Sequence, residues 1–195
     1  MTDDKQLEVR RQLFHLVLGS TIAVAVWLLK PHFGNIILVP LLISISILLA
    51  APKIAPKSII SNHLLNHFER KEDLETFPYK GAVYYGIGII FPIIMLPLEL
   101  ACVVILILSI GDAISTLFGK FYGRVRIGDK SLEGALAFIL SSFIGSLIFL
   151  SLTGNMDLKM VAFELSVIGS LIELQAVIND NVAVPLFLSI LAKLI

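Results

Sequence analysis

Residues 98–134 read LELACVVILILSIGDAISTLFGKFYGRVRIGDKSLEG. The first half of this stretch is apolar enough to lie in a bilayer, yet Gly111-Asp112 arrives before the run has ended. A carboxylate inside an apolar helix costs about 2.5–3.5 kcal/mol on insertion scales, and a residue carrying that cost faces a polar cavity or binds something. After Asp112 come Gly119 and Gly123 in GxxxG spacing, then Lys120, Arg124, Arg126 and Lys130, and a Lys-Ser-x-Glu-Gly turn ending at Gly134. Together these features point to an anionic ligand held at a membrane surface.

The rest of the chain agrees with a membrane setting. Of 195 residues, 57% are hydrophobic and 15% charged, with mean hydropathy +0.93; a soluble domain carries about 25% charged residues. Apolar segments can be drawn at 13–29, 35–51, 81–96, 98–118, 134–152, 160–174 and 182–195, the third and seventh being short for a bilayer of roughly 30 Å. They must be helices, because an open strand leaves backbone groups unpaired in lipid, and the period-2 alternation of a membrane barrel is missing. The expected fold is all-α: a polytopic integral membrane helical bundle of about seven transmembrane helices, with residues 1–195 forming a single membrane-embedded domain. Within the cytoplasmic segment 52–80, Ile59, Ile60, Leu64, Leu65 and Phe68 fall at helical spacing among His63, His67, Arg70 and Lys71, which predicts an interfacial amphipathic helix. Arg10-Arg11 ahead of an apolar run imitates a signal peptide, but the run is too long and ends in Lys30-Pro31-His32, so it reads as the first transmembrane helix. The lone Cys102 implies no disulfide framework.

Orientation follows from the basic residues. With the N-terminus cytoplasmic, Lys5, Arg10, Arg11, Lys53, Lys57, Arg70, Lys71, Lys80, Lys120, Arg124, Arg126 and Lys130 share one side, against Lys30, Lys159 and Lys193 on the other. That asymmetry places the N-terminus inside and the C-terminus outside a multi-pass cell-membrane protein. In this topology the unusual polar groups gather at the cytoplasmic helix ends: Arg10, Arg11 and His15; Lys80; Asp112; Lys130, Ser131 and Glu133; Glu173, Asn179, Asp180 and Asn181. One composite site at the cytoplasmic face is expected. Each member also has a plainer reading. Arg10 and Arg11 suit interfacial anchors, His15 a helix-packing donor, and Gly119 with Gly123 close helix contact. Glu173 and Asp180 could pair structurally with Arg10, Arg11 or Lys130, and His63 with His67 reads as a wet face rather than a metal site. Asp112 lies too deep to snorkel.

Gly123-x-x-x-x-Gly128-Asp129-Lys130-Ser131 comes near a P-loop, but no strand precedes it, so that homology is rejected. Lys130-Ser131 nonetheless opens a helix, where free N–H groups and the helix dipole favour phosphate. Asp112, Glu133, Glu173 and Asp180 offer hard oxygen ligands suited to Mg²⁺, while Lys130, Arg124, Arg126, Arg10 and Arg11 can neutralise a polyphosphate. Phosphoryl transfer asks for this set: a metal, cationic clamps and a carboxylate that orients the attacking hydroxyl. At a bilayer surface the acceptor is an amphiphile with its tail in lipid.

At these residues the chain resembles the polytopic lipid kinases of the dolichol kinase, phytol kinase and CTP-dependent diacylglycerol kinase family. The matching motifs are RRQLFHLVLG, YKGAVYYGIG, GDAISTLFGKFYGRVRIGDKSLEGALAF and IELQAVINDNVAVPL. The resemblance implies transfer of the γ-phosphate of CTP to the hydroxyl of a membrane lipid alcohol, with Mg²⁺ or another divalent cation. It makes Asp112 the principal metal or catalytic carboxylate and gives the nucleotide phosphates to Lys130 and Ser131. Glu133, Gly134, Asp180 and Asn181 complete the polar site, with Glu173 among the metal-binding acids. Arg10, Arg11, His15, Lys80, Gly119, Gly123 and Arg124 surround the phosphates. Asp112 and Asp180 both remain open as the hydroxyl-orienting group. Expected partners are a nucleoside triphosphate, a lipid alcohol and the bilayer, with no nucleic acid; oligomeric state is not legible. Two alternatives stand: a CTP:phosphatidate cytidylyltransferase-like enzyme, whose Lys-Asp and His-Gly-Gly signature is missing, and a small transporter, for which no inverted repeat is visible.

Overall fold

The computed structural model describes residues 3–54, 77–175 and 179–194. Helix α1 (Asp3–Phe33) ends at Gly34, whose φ of +56° an L side chain rarely adopts; a 3₁₀ turn (Gly34–Ile37) then leads into α2 (Leu38–Ile54). Helix α3 (Lys80–Met95) stops before Pro97, and α4 (Leu98–Leu106) runs through a π-turn (Ile107–Gly111) into α5 (Asp112–Tyr122). A hairpin of β1 (Arg126–Ile127) and β2 (Lys130–Ser131) follows, then α6 (Leu132–Thr153), α7 (Lys159–Gln175) and α8 (Asp180–Ala192). Ser131 caps α6 by accepting the Gly134 N–H at 3.1 Å, and Asn179 caps α8 by accepting that of Asn181 at 3.1 Å.

Helix α4 is the centre of the bundle. Ala101 through Ile105 are fully buried, as are Ile107 and Leu108 in the π-turn, and α1, α3, α6 and α8 pack around them. The exterior is apolar as well as the core. Leu13, Val17, Leu28, Ile47, Leu140 and Leu152 are exposed, while Glu8, Glu173 and eight serines are among the buried residues. The buried serines are mostly satisfied within their own helices, as when Ser142 Oγ donates to the Phe138 carbonyl at 2.7 Å. Others bridge elements, as when Ser170 Oγ donates to the Ala135 carbonyl at 3.0 Å and ties α7 to α6. An apolar perimeter, with polar side chains kept inside and hydrogen-bonded, is what a lipid solvent selects.

Among the described residues, the seven apolar segments fall largely on helix. By length and apolarity, Lys5–Pro52, Leu98–Tyr122 and Leu132–Thr153 are able to cross a membrane, the first containing both α1 and α2. Lys80–Met95 and Asp180–Ala192 are shorter apolar helices, about 24 and 20 Å long at the α-helical rise against a hydrocarbon core of about 30 Å. The amphipathic helix expected within 52–80, including His63 and His67, lies outside the described residues apart from its ends. The hairpin departs from the all-α expectation. Its turn, Gly128-Asp129 with Gly128 at φ +60°, joins strands of two residues, too short for alternation to register in the sequence.

Two close approaches set the frame of the polar interior. Gly119 and Gly134 let α5 and α6 meet at backbone distance: a Cβ on Gly134 would lie 2.9 Å from the Ser115 carbonyl oxygen and 3.3 Å from the Gly119 Cα. On the other side, a Cβ on Gly88 would run into the carbonyl oxygen of Asn181, so α3 holds the first turn of α8 in place. Gly88→Val is therefore expected to destabilise the fold by about 1–3 kcal/mol through forced backbone movement. Thermal unfolding in detergent checks this; an unchanged midpoint would mean that α3 and α8 do not pack at this point.

Candidate functional site

The end of the bundle where α1, α5, α6 and α8 converge encloses a polar cavity of about 560 Å³. Asp112 enters it directly after the π-turn, an element that re-aims the residues following it and recurs at functional sites. Its carboxylate, that of Glu173 on α7 and that of Asp180 at the start of α8 present oxygens within 4.8 Å of one another. Lys130, from β2, reaches into this cluster. Its Nζ donates to Glu173 Oε1 at 2.8 Å and to Asp180 Oδ2 at 2.6 Å. Ser115 Oγ, one turn after Asp112, donates to the same Glu173 oxygen at 2.6 Å.

Charge explains how such a cluster persists. Burial works against the Lys130 ammonium, but the carboxylates of Glu173, Asp112 and Asp180 outweigh it and hold the lysine above its ordinary range. Glu173 is 3% exposed; an isolated carboxylate there would pay a desolvation cost of several kcal/mol. Three acids facing one lysine still leave an excess of negative charge, and the donor set is that of a hard divalent cation: oxygen ligands, all from carboxylates. Asp112, Glu173 and Asp180 thus fit a cation such as Mg²⁺. His15 Nε2 lies 3.7 Å from Asp112 Oδ2 and its ring packs edge-on against Tyr85 at 4.3 Å. His15 Nε2, Arg11 Nη1 and Asn181 Oδ1 are buried with no hydrogen-bond partner among the described residues. Arg11 and Asn181 line the cavity, so a polar ligand there would meet waiting groups.

The residues singled out from sequence divide into two sets. Asp112, Glu173, Asp180, Lys130, Ser131, Gly119, Gly134, Arg11 and Asn181 line the cavity, and His15 adjoins it through Asp112. Gly123, Arg124 and Glu133 instead line a separate hollow of about 470 Å³ with Phe121 and Tyr122. There the Glu133 carboxylate accepts the Val125 N–H at 3.2 and 3.3 Å, clamping the loop ahead of the hairpin. Arg10 is exposed on α1 and Lys80 opens α3; neither lines the cavity. Lys120, Arg126 and Asn179, also marked in the sequence, line it too, whereas sequence reasoning missed Glu8, Gln12, Ser115, Thr116 and Asp129. The signal was periodic. Ser115, Thr116, Gly119 and Lys120 follow Asp112 at three, four, seven and eight residues, one face of a helix, and Glu8 precedes Arg11 and Gln12 by three and four.

Comparison with known proteins bears on this geometry. An uncharacterised protein of Methanocaldococcus jannaschii is 33% identical over 141 residues, 69% of this chain and 69% of that protein. Dolichol kinase of Saccharomyces cerevisiae is 38% identical over 94 residues, 45% of this chain, and phytol kinase of Synechocystis is 28% identical over 155 residues, 75% of this chain. The chain belongs to a family of dolichol kinase- and phytol kinase-like proteins. It spans 18% of the length of the dolichol kinase and 60% of that of the phytol kinase. No family model matches it, and no solved structure does. In this dolichol kinase- and phytol kinase-like chain, α5, the hairpin and α6 carry Asp112, Lys130 and Ser131 to one wall of the cavity. Helices α7 and α8 bring Glu173 and Asp180 from the other.

Proposed function

We propose that the chain is a CTP-dependent lipid kinase that phosphorylates the hydroxyl of a membrane lipid alcohol, of polyprenol, other isoprenoid or diacylglycerol type, at the cytoplasmic face of a seven-span bundle. One observation carries the reading: Asp112, Glu173 and Asp180 converge within 4.8 Å around Lys130, in a polar cavity inside a protein with an apolar perimeter. The kinase-named relatives support phosphotransfer and a lipid substrate; CTP and the alcohol class come from the motif resemblance.

The chemistry asked of these residues is positioning and charge compensation. The acceptor oxygen bonds to Pγ as the bond from Pγ to the β–γ bridging oxygen breaks, CDP leaves, and the hydroxyl proton passes to a carboxylate. Asp180 is tied to Lys130 at 2.6 Å and Asp112 faces His15 at 3.7 Å, which supports Asp112 as the carboxylate that takes that proton. Lys130 holds the transferred phosphoryl group, with Ser131 beside it. A divalent cation held by Asp112, Glu173 and Asp180 would neutralise phosphate charge.

Incubating the purified protein with γ-labelled CTP, γ-labelled ATP and a panel of lipid alcohols tests the reading. Label in a lipid monophosphate, with CDP formed in equal amount, is the expected result. Pyrophosphate with an unlabelled CDP-lipid would mean cytidylyl transfer, and no turnover with any nucleotide would remove the kinase assignment.

A further inference from the structure

The same cavity holds a second charged cluster, built around Glu8, a residue that no motif of the resemblance includes. Glu8, on α1, is 3% exposed. Its Oε2 accepts from Lys120 Nζ at 3.1 Å, its Oε1 accepts from Gln12 Nε2 at 3.0 Å, and Arg11 Nη1 lies 3.7 Å from Oε1. Lys120 stands eight residues beyond Asp112 on the same face of α5, about 12 Å along the helix. Glu8, Arg11, Gln12 and Lys120 all line the cavity that contains Asp112 and Lys130.

Among the cations of the lining, Lys130 stands at the carboxylate cluster, Lys120 and Arg11 stand at Glu8, and Arg126 belongs to the hairpin. Resting on the nucleotide reading above, we propose that Glu8 is a positioning residue: its carboxylate fixes Lys120 and Arg11 as one cationic clamp for the nucleoside end of the triphosphate, while Lys130 serves the transferred end. A staple between α1 and α5 alone would not need both partners on the cavity wall. Nor would it leave Arg11 Nη1 buried without a hydrogen-bond partner among the described residues. A phosphate oxygen supplies that partner. The lipid acceptor has no part in this clamp, so its binding is insensitive to Glu8.

Initial rates against CTP and against lipid alcohol, with thermal unfolding in detergent with and without CTP, test the assignment in wild type, Glu8→Gln, Lys120→Met and the double variant. Glu8→Gln is expected to raise the CTP KM about tenfold or more, the size of a lost charge-assisted contact, with kcat within threefold and lipid KM unchanged. The double variant is expected to lose less CTP affinity than the two single losses combined, because Glu8 acts in part through Lys120. Glu8→Asp, which keeps the charge, is expected to recover part of the CTP affinity. A lowered unfolding midpoint with an unchanged CTP KM would make Glu8 a structural staple and overturn the inference. Lys120, with a part-exposed side chain, serves the same test if Glu8→Gln does not fold: an unchanged CTP KM in Lys120→Met overturns the clamp. Wild type that shows neither turnover nor a CTP-dependent shift overturns the nucleotide reading, and the clamp with it. A shift that survives intact in both single variants overturns the clamp alone.

Discussion

Purified Asp112→Asn protein is expected to keep its helical fold and lose phosphoryl transfer by a factor of about 10²–10⁴, the range for removal of a positioned acid or base. The substitution is nearly isosteric, so packing against α1 and α6 is untouched. It also removes one of three negative charges that present oxygens within 4.8 Å of one another with Lys130 as the neighbouring cation bonded to two of them. Without bound metal, the unfolding midpoint is therefore expected to stay level or rise. Activity and stability moving in opposite directions is the signature of charges kept for function rather than for folding. Circular dichroism, thermal unfolding and the labelled-CTP assay on one detergent preparation check both halves. Retained turnover would remove Asp112 from the chemistry.

Lys130→Ala is expected to fail on both counts. Loss of a cation aimed at developing phosphoryl charge lowers kcat by about 10²–10³. It also leaves Glu173 buried without its lysine partner, and breaking a buried pair costs about 3–5 kcal/mol. The lower figure applies here because the Lys130 side chain is 31% exposed. Because folding raises the Lys130 pKa, the ion-pair contribution is fully present below the ordinary lysine value of 10.5 and is lost as pH climbs through the folded value. Stability from this pair is thus level across neutral pH. The double variant Lys130→Met/Glu173→Gln removes both charges and is expected to regain most of the lost stability while remaining inactive. An active double variant would show that the pair serves only to hold α7 against the hairpin.

Much of the site was legible before any fold was known, and for a local reason. Asp112 stands out because a single carboxylate breaks an apolar run, and Lys130-Ser131-x-Glu-Gly because it opens the next one. Glu133 shows where that reasoning stops. The same turn that sends Lys130 into the cavity turns Glu133 outward to the Val125 amide, a parity that three letters of spacing do not reveal. Arg10 and Arg11 are neighbours in the chain, yet about 100° of helix rotation puts Arg11 in the lining and Arg10 outside. Glu8 went unread because, taken alone, it looks like an ordinary solvated charge near a helix end.

The amino-acid sequence by itself determined that this protein is a helical membrane bundle with costly polar groups at its helix ends, because insertion energy is summed residue by residue along each segment. The tertiary structure alone decided which of those groups share a cavity. Lys130 meets Glu173 and Asp180 across 43 and 50 residues of chain. Lys120 meets Glu8 across 112. Such meetings depend on how far helices approach, through Gly119, Gly134 and Gly88, and on a π-turn that rotates everything after it; neither is a property of any one segment.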